Sequence, residues 1–399
     1  MPFAVYVLGM AIFSMGTTEM MLSGLLPLLS ADLSVSIPTA ALLVSGFALG
    51  MAIGGPLLTV FFARLEPKRI LIILLALFVV GQSIGAVAPT YAVLMVSRVI
   101  AAMAMGTFFG VAASVVVGLA GGHRRARALA VLVGGLTVSS VIGLPAATLV
   151  AQHLGWRASF WMVSIFGLLS LIGVATLVPA QRTGAGFDVR GGLRVFRSGR
   201  LWATLAANAL ALAAFLGIFS YISPLLTDVA GFSPAAVPFL QFLYGFGCIA
   251  GIAVGGKFAD RRPHASLYLS LVVSVVVLAG FALALHSQVA TVILFLAFGF
   301  VAFGANPAMT SRAMTLAGDS PLGASANTSA FNIGIAIGPW LGGLAIDAGY
   351  GFVAPVWIGV ALAAASLIVA LFAGRAARRP SRTLTTSDAP VLTNEGSAR

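Results

Sequence analysis

The sequence predicts an all-α membrane protein: twelve crossing helices arranged as two parallel six-helix repeats. Three observations carry that expectation. First, the 399-residue chain is 60% hydrophobic and 8% charged, with a mean hydropathy of +1.08, whereas soluble domains run about 45–50% apolar and about 25% charged. Second, the apolar residues fall into twelve runs of roughly 20 residues, the length that crosses a hydrocarbon core about 30 Å thick. Third, the basic residues cluster between alternate runs. No water-soluble fold buries this much apolar side chain. A cytosolic enzyme, a secreted domain and a disordered chain are therefore excluded.

The runs lie at 4–26, 40–62, 70–88, 91–119, 129–152, 158–178, 201–226, 235–256, 265–286, 288–310, 322–346 and 352–373. Most are hydrophobic on every face, as helices solvated by lipid are. The first is too long for a signal-peptide core and lacks a basic flank, so it is expected to be a span and not a cleaved leader. Loops after even-numbered runs hold Arg64, Lys68 and Arg69, then Arg124, Arg125 and Arg127, then five bases from Arg182 to Arg200. Lys257, Arg261 and Arg262, then Arg312, and five bases from Arg375 to Arg399 follow. Twenty of the 22 bases thus share one side; Arg157 is on the other, and Arg98 lies inside a span. By the positive-inside rule both termini and the long central loop are expected in the cytoplasm of a multi-pass cell-membrane protein.

The net charge of +12 is scattered between apolar runs, which fits a membrane face and argues against nucleic-acid binding. Cys248 is the only cysteine, and His123, His153, His264 and His286 stand apart. Neither a disulfide framework, a metal site nor a cofactor is expected.

The two halves echo each other. Gly54-Gly55 near the end of the second run matches Gly255-Gly256 in the eighth, and Gly143-Leu144-Pro145 in the fifth matches Gly338-Pro339 in the eleventh. The expected organisation is a six-helix bundle over 1–178, a cytoplasmic linker at 179–200, a second bundle over 201–373, and a polar tail at 374–399 read as disordered. Parallel repeats of this kind rock about a site near the midplane. No polar catalytic cluster interrupts the spans, so no enzyme is expected.

Gly256-Lys-Phe-Ala-Asp260-Arg261-Arg262 resembles the signature loop of the major facilitator superfamily. Gly334-x-x-x-Gly338-Pro339-x-x-Gly342-Gly343 resembles its antiporter signature, and Leu94-x-x-x-Arg98 its fourth-span arginine motif. The opening stretch, with Gly16-Thr-Thr-Glu19-Met and Ser23-Gly-Leu-Leu-Pro27, and Gly155-Trp-Arg-Ala-Ser-Phe160 are similar to the chloramphenicol-resistance exporters of actinomycetes. One departure is the loop after the second run, Phe62-Ala-Arg64-Leu-Glu66-Pro-Lys68-Arg69, which lacks a clear counterpart of the family's aspartate. The resemblance implies proton-driven export of chloramphenicol or a related phenicol by a monomer, with drug, protons and bilayer as its partners. Export of a sugar or nucleobase, a proton-independent facilitator or channel, and a membrane sensor are the alternatives. No Gly-x-x-x-x-Gly-Lys-Ser/Thr motif occurs to bind ATP.

Of ten acids, Glu19 alone falls within a span, and an intramembrane charge is by default a functional hypothesis. Desolvation favours its neutral form. An ion pair with Arg98 at 4 Å, worth about 4 kcal/mol at an effective dielectric of 20, favours the charged form. The two residues lie about 12 Å and about 10 Å from the outer ends of their spans by helical rise, so they sit at similar depth. Glu19 is the expected proton carrier and Arg98 its partner; a structural Glu bonded to neighbouring backbone or to hydroxyls such as Thr18 and Ser23, and a permanent structural pair with Arg98, are the plainer alternatives. Thr18, Ser23, Asn208, Phe215, Gln241, Tyr244, Asn306, Asn327 and Phe331 are the candidate cavity residues, and such a lining suits a small neutral amphipathic molecule. Gly143, Pro145, Gly338 and Pro339 are candidate gating positions through close approach and bending. Asp260 and Arg261 are candidate gate contacts to helix ends.

Overall fold

The structure, a computed structural model, describes residues 2–62, 64–120, 125–180, 198–317 and 321–375. Most of the expected linker, nearly all of the tail, Arg124, Asp188, Asp319, Asp388 and Glu395 lie outside the described residues. Among the described residues twelve helices are long and apolar enough to cross a membrane, and there is no strand. They are α1 (Phe3–Leu33), α2 (Ile37–Phe61), α3 (Pro67–Ala86), α4 (Tyr91–Ala120), α5 (Arg127–Leu154) and α6 (Trp156–Leu177) in the first half. The second half holds α7 (Gly199–Ser220), α8 (Val237–Arg261), α9 (Pro263–Ala284), α10 (Gln288–Ala317), α11 (Pro321–Ala345) and α12 (Ala354–Arg375).

Each helix falls on the apolar run that anticipates it, but several extend past it. α1 continues to Leu33, α8 to Arg261 and α10 to Ala317. Hydropathy marks where lipid ends, whereas the helix ends where the backbone is stopped. After Gly256 no breaker intervenes until Pro263, so Lys257, Asp260 and Arg261 are helical and not in a loop. Arg262, immediately before the proline, leaves helical space at φ −144° and ψ 70°, as the residue before proline is pushed to do. Likewise Pro67 opens α3 at a position needing no N–H, which draws Lys68 and Arg69 into the first turn. Ser36 caps α2, its hydroxyl oxygen accepting from the Thr39 N–H at 3.2 Å. α5 and α6 are joined by Gly155 alone, at φ +83°, a conformation in which a side chain is strained.

The packing repeats. In the first half α1 lies against α5 and α6, α2 against α4, and α3 against α4 and α6; in the second, α7 lies against α11 and α12, α8 against α10, and α9 against α10 and α12. The contacts thus recur with six added to every helix number. Each half has its own apolar core, one drawn from residues 4–178 and one mostly from residues 207–370. Small residues set the closest approaches. A Cβ on Gly143 would overlap the Thr17 side chain of α1, and one on Gly338 would overlap the Ala213 carbonyl of α7. Those are the same helix pair in the two halves. Gly55 faces Gly106 between α2 and α4, as Gly255 faces Gly304 between α8 and α10. Pro145 follows a π-helical segment, Ser139–Gly143, within α5, whereas Pro339 lies inside a continuous α11.

The halves meet at the end away from the termini. There the Gln152 side chain donates to the Pro234 carbonyl at 2.7 Å, and nearer the middle the Ser45 hydroxyl donates to the Ala336 carbonyl at 2.7 Å. Leu26, Ala40 and Ala41 of one half form a buried cluster with Tyr221 of the other. Toward the termini, Gly110 of α4, Gly134 of α5 and Gly256 of α8 face open space.

Candidate functional site

Three helices of the first half, α2, α3 and α4, bring side chains together beside the middle of α1. From Ser14 to Leu26 every residue of that helix is buried except Glu19, which keeps partial exposure. Glu19 stands about 24 Å along the helix from Phe3 and about 21 Å from Leu33, at 1.5 Å per residue. Arg98 of α4 is 1% exposed. Its Nη2 donates to the Thr18 carbonyl at 3.0 Å, one residue from Glu19, and its guanidinium lies 4.1 Å from the centre of the Phe47 ring of α2. Gln82 of α3 donates through Nε2 to the Thr18 hydroxyl at 2.5 Å.

The two intramembrane charges therefore share one level, within electrostatic reach of each other. They are not in ion-pair contact; the ion pairs among the described residues are Arg69–Glu66 and Arg157–Asp32. Nor is Glu19 bonded to its hydroxyl neighbours. The Thr18 hydroxyl receives Gln82, and Ser23 donates to its own helix at the Met20 carbonyl, 2.7 Å away. What remains is a carboxyl open on one side, beside a buried guanidinium. Among the described residues the Arg98 Nε and Nη1 and the Gln82 Oε1 have no hydrogen-bond partner. A guanidinium is more weakly hydrated than an ammonium, which eases such burial. The arrangement is chemically able to bind and release a proton at Glu19 while holding a fixed positive charge behind it.

Thr18, Ser23, Asn208, Phe215, Gln241, Tyr244 and Asn327 are buried in this conformation, while Asn306 and Phe331 are half-buried. Tyr244 stacks between Phe219 and Phe295 at centroid distances of 4.5 and 5.2 Å, and Phe215 lies 6.3 Å from Phe298. These rings, with Phe281, fill the core of the second half. Asn208 donates to Asn327 Oδ1 at 2.7 Å, tying α7 to α11. Phe331 packs against the second core, and Asn306 opens the last segment of α10 with its Oδ1 unpartnered among the described residues. A helix that is apolar on every face carries no periodic sign of which side meets neighbours and which meets a cavity.

Asp260 and Arg261 stand exposed in the last turn of α8, without an ion pair among the described residues. Gly143 and Gly338 hold the close α1–α5 and α7–α11 crossings, and Pro145 follows the first after Leu144 while Pro339 follows the second directly. Two contributors were not anticipated. Gln82 is the one amide in the third apolar run, a signal of the same kind as Asn208. Phe47 carried no signal at all.

Twelve helices long and apolar enough to cross a membrane, packed as two like halves with two ionisable side chains at one level mid-span, are the architecture of a polytopic membrane protein. The family model described as Major Facilitator Superfamily matches residues 8–326, and the chain belongs to that superfamily. It is 32% identical over 369 residues to the inner membrane transport protein YdhP of Escherichia coli K12, covering 92% of this chain and 95% of that one. It is 34% identical over 398 residues to a chloramphenicol resistance protein of Streptomyces lividans, covering 98% and 99%. The fold is also that of a bacterial homolog of the human lysosomal transporter Spinster, solved in an inward-facing, occupied conformation. That match has a TM-score of 0.73 at 14% identity and covers 94% and 96% of the two chains.

Proposed function

We propose that this transporter is a monomeric proton-coupled exporter of a small, neutral, amphipathic drug, with chloramphenicol the leading substrate. It works in the cell membrane with both termini in the cytoplasm. Glu19 carries the proton and Arg98 links its charge state to the orientation of the halves. The observation that carries the reading is Glu19 itself, the one acid placed mid-span, partly open and free of hydrogen-bond partners among the described residues. The 34% identity to the Streptomyces lividans protein, spread over nearly the whole of both chains, supports the substrate. The strongly one-sided distribution of bases supports the orientation. On that orientation the Gln152–Pro234 contact and the Leu26–Ala40–Ala41–Tyr221 cluster hold the halves together on the outer side. Gly143, Pro145, Gly338 and Pro339 serve as the close-packed pivots of α5 and α11, and Asp260 and Arg261 as contacts made when the inner side shuts. Asn306 and Phe331 are the wall residues most ready to meet the drug.

The test is uptake of labelled chloramphenicol into inverted membrane vesicles with and without an acid interior. Accumulation that depends on the gradient is expected. Uptake no greater than in vesicles lacking the protein would remove the substrate, and uptake indifferent to the gradient would make the protein a facilitator.

A further inference from the structure

Gln241 is 0% exposed, and among the described residues neither its Nε2 nor its Oε1 has a hydrogen-bond partner. It lies where α8 crosses α1 and α5 of the other half. A Cβ on Gly24 of α1 would fall 2.9 Å from Gln241 Nε2 and would overlap the Thr148 hydroxyl of α5. That hydroxyl offers its proton elsewhere, to the Leu144 carbonyl at 3.0 Å. One turn along α8, Gly245 rests on the backbone of Ser140 and Val141 in the π-helical segment of α5. Gln241 is thus wedged into the seam that joins the halves. The other named contacts of the seam favour closure. The Leu26–Ala40–Ala41–Tyr221 cluster buries apolar surface, and Gln152 bonds across to Pro234. A primary amide buried with both polar atoms unpaired opposes it, because its hydrogen bonds to water are lost and not replaced.

We propose that Gln241 is a positioning residue that counterbalances the seam. Its unpaired amide destabilises the closed conformation relative to the one in which α8 parts from α1 and α5 and water reaches it. The transporter is thereby kept from locking in the conformation described above. Gly24 is part of the device, since its missing side chain leaves the space that the amide occupies. The inference rests on the reading that the halves alternate, but it needs neither a substrate nor a proton for its test.

Spin labels at His153→Cys and Ser287→Cys report the separation of the two halves at the seam end. Both residues are exposed, and the native Cys248 is buried and silent. Pulsed dipolar distance distributions are measured in lipid nanodiscs for the labelled parent and for Gln241→Met, which keeps the length and flexibility of the side chain. Gln241→Leu is the second variant should Met fold poorly. The expected result is a rise of about tenfold in the ratio of closed to open seam, equivalent to about 1.4 kcal/mol, with thermal stability unreduced. A parent that populates two separations while both variants leave the ratio unchanged, or move it toward open, overturns the role of Gln241 alone. A single separation in the parent and all variants overturns the alternation of the halves and this inference with it.

Discussion

Replacing Arg98 by methionine separates a residue kept for function from one kept for stability. The substitution removes one hydrogen bond from a charged donor, the 3.0 Å contact to the Thr18 carbonyl, worth about 1.5–3 kcal/mol. It also removes the stacking on Phe47 at 4.1 Å, worth about 2 kcal/mol where both groups are desolvated. Against these losses, it relieves two buried donors without acceptors, Nε and Nη1, at about 1–3 kcal/mol each. It also relieves the desolvation of an ion, which costs several kcal/mol more. The balance is neutral to mildly stabilising, and the methionine fills much of the vacated volume. Detergent-solubilised Arg98→Met is therefore expected to unfold at the same temperature as the parent or slightly above it. Gradient-driven export, normalised to folded protein, is expected to fall by at least tenfold. A melting temperature lowered by several degrees, with transport per molecule retained, would refute the reasoning.

Three further outcomes follow from the packing and the charge distribution. Gly338→Val drives a side chain onto the Ala213 carbonyl and to within 2.8 Å of the Gly217 nitrogen, so it should lower the yield of folded protein, overpacking costing about 1–3 kcal/mol or more. Gly256→Ala meets nothing within 4 Å and should be neutral or stabilising by up to about 1 kcal/mol; equal yields for the two variants would contradict the close-approach argument. Arg157 and Asp32 pair at 2.6 Å with side chains 40% and 44% exposed, and a double-mutant cycle should find a coupling of about 1 kcal/mol or less, which a coupling of several kcal/mol would disprove. Arg261→Cys should react with an impermeant maleimide from the cytoplasmic side and His153→Cys from the outside. The reverse pattern would invert the orientation.

The architecture was legible because lipid imposes it. Twelve runs of the right length leave few alternatives, and Gly143-Leu144-Pro145 and Gly338-Pro339 mark the equivalent crossings in the sequence itself. Glu19 and Arg98 were legible for the same reason, as charges where charge is expensive. Their relation was not. Arg98 reaches a backbone carbonyl, an acceptor present at every residue and so invisible in a sequence, and it does so on a helix whose neighbours are fixed only by packing. The aromatic and amide residues were the least readable. Phe215 and Tyr244 fill a ring-stacked core, Asn208 and Asn327 satisfy each other, and Gln241 lies in the seam, yet all stood equally as polar or aromatic interruptions of apolar runs. Hydropathy does not mark a helix end where polar residues continue the helix past its apolar run, as in the last turn of α8.

The most direct test of the central claim is Glu19→Gln assayed in two modes in the same inverted vesicles. The account predicts that exchange of labelled for unlabelled drug at equal pH persists, because the halves still alternate, while accumulation driven by an acid interior disappears. Accumulation by Glu19→Gln equal to that of the parent would contradict it.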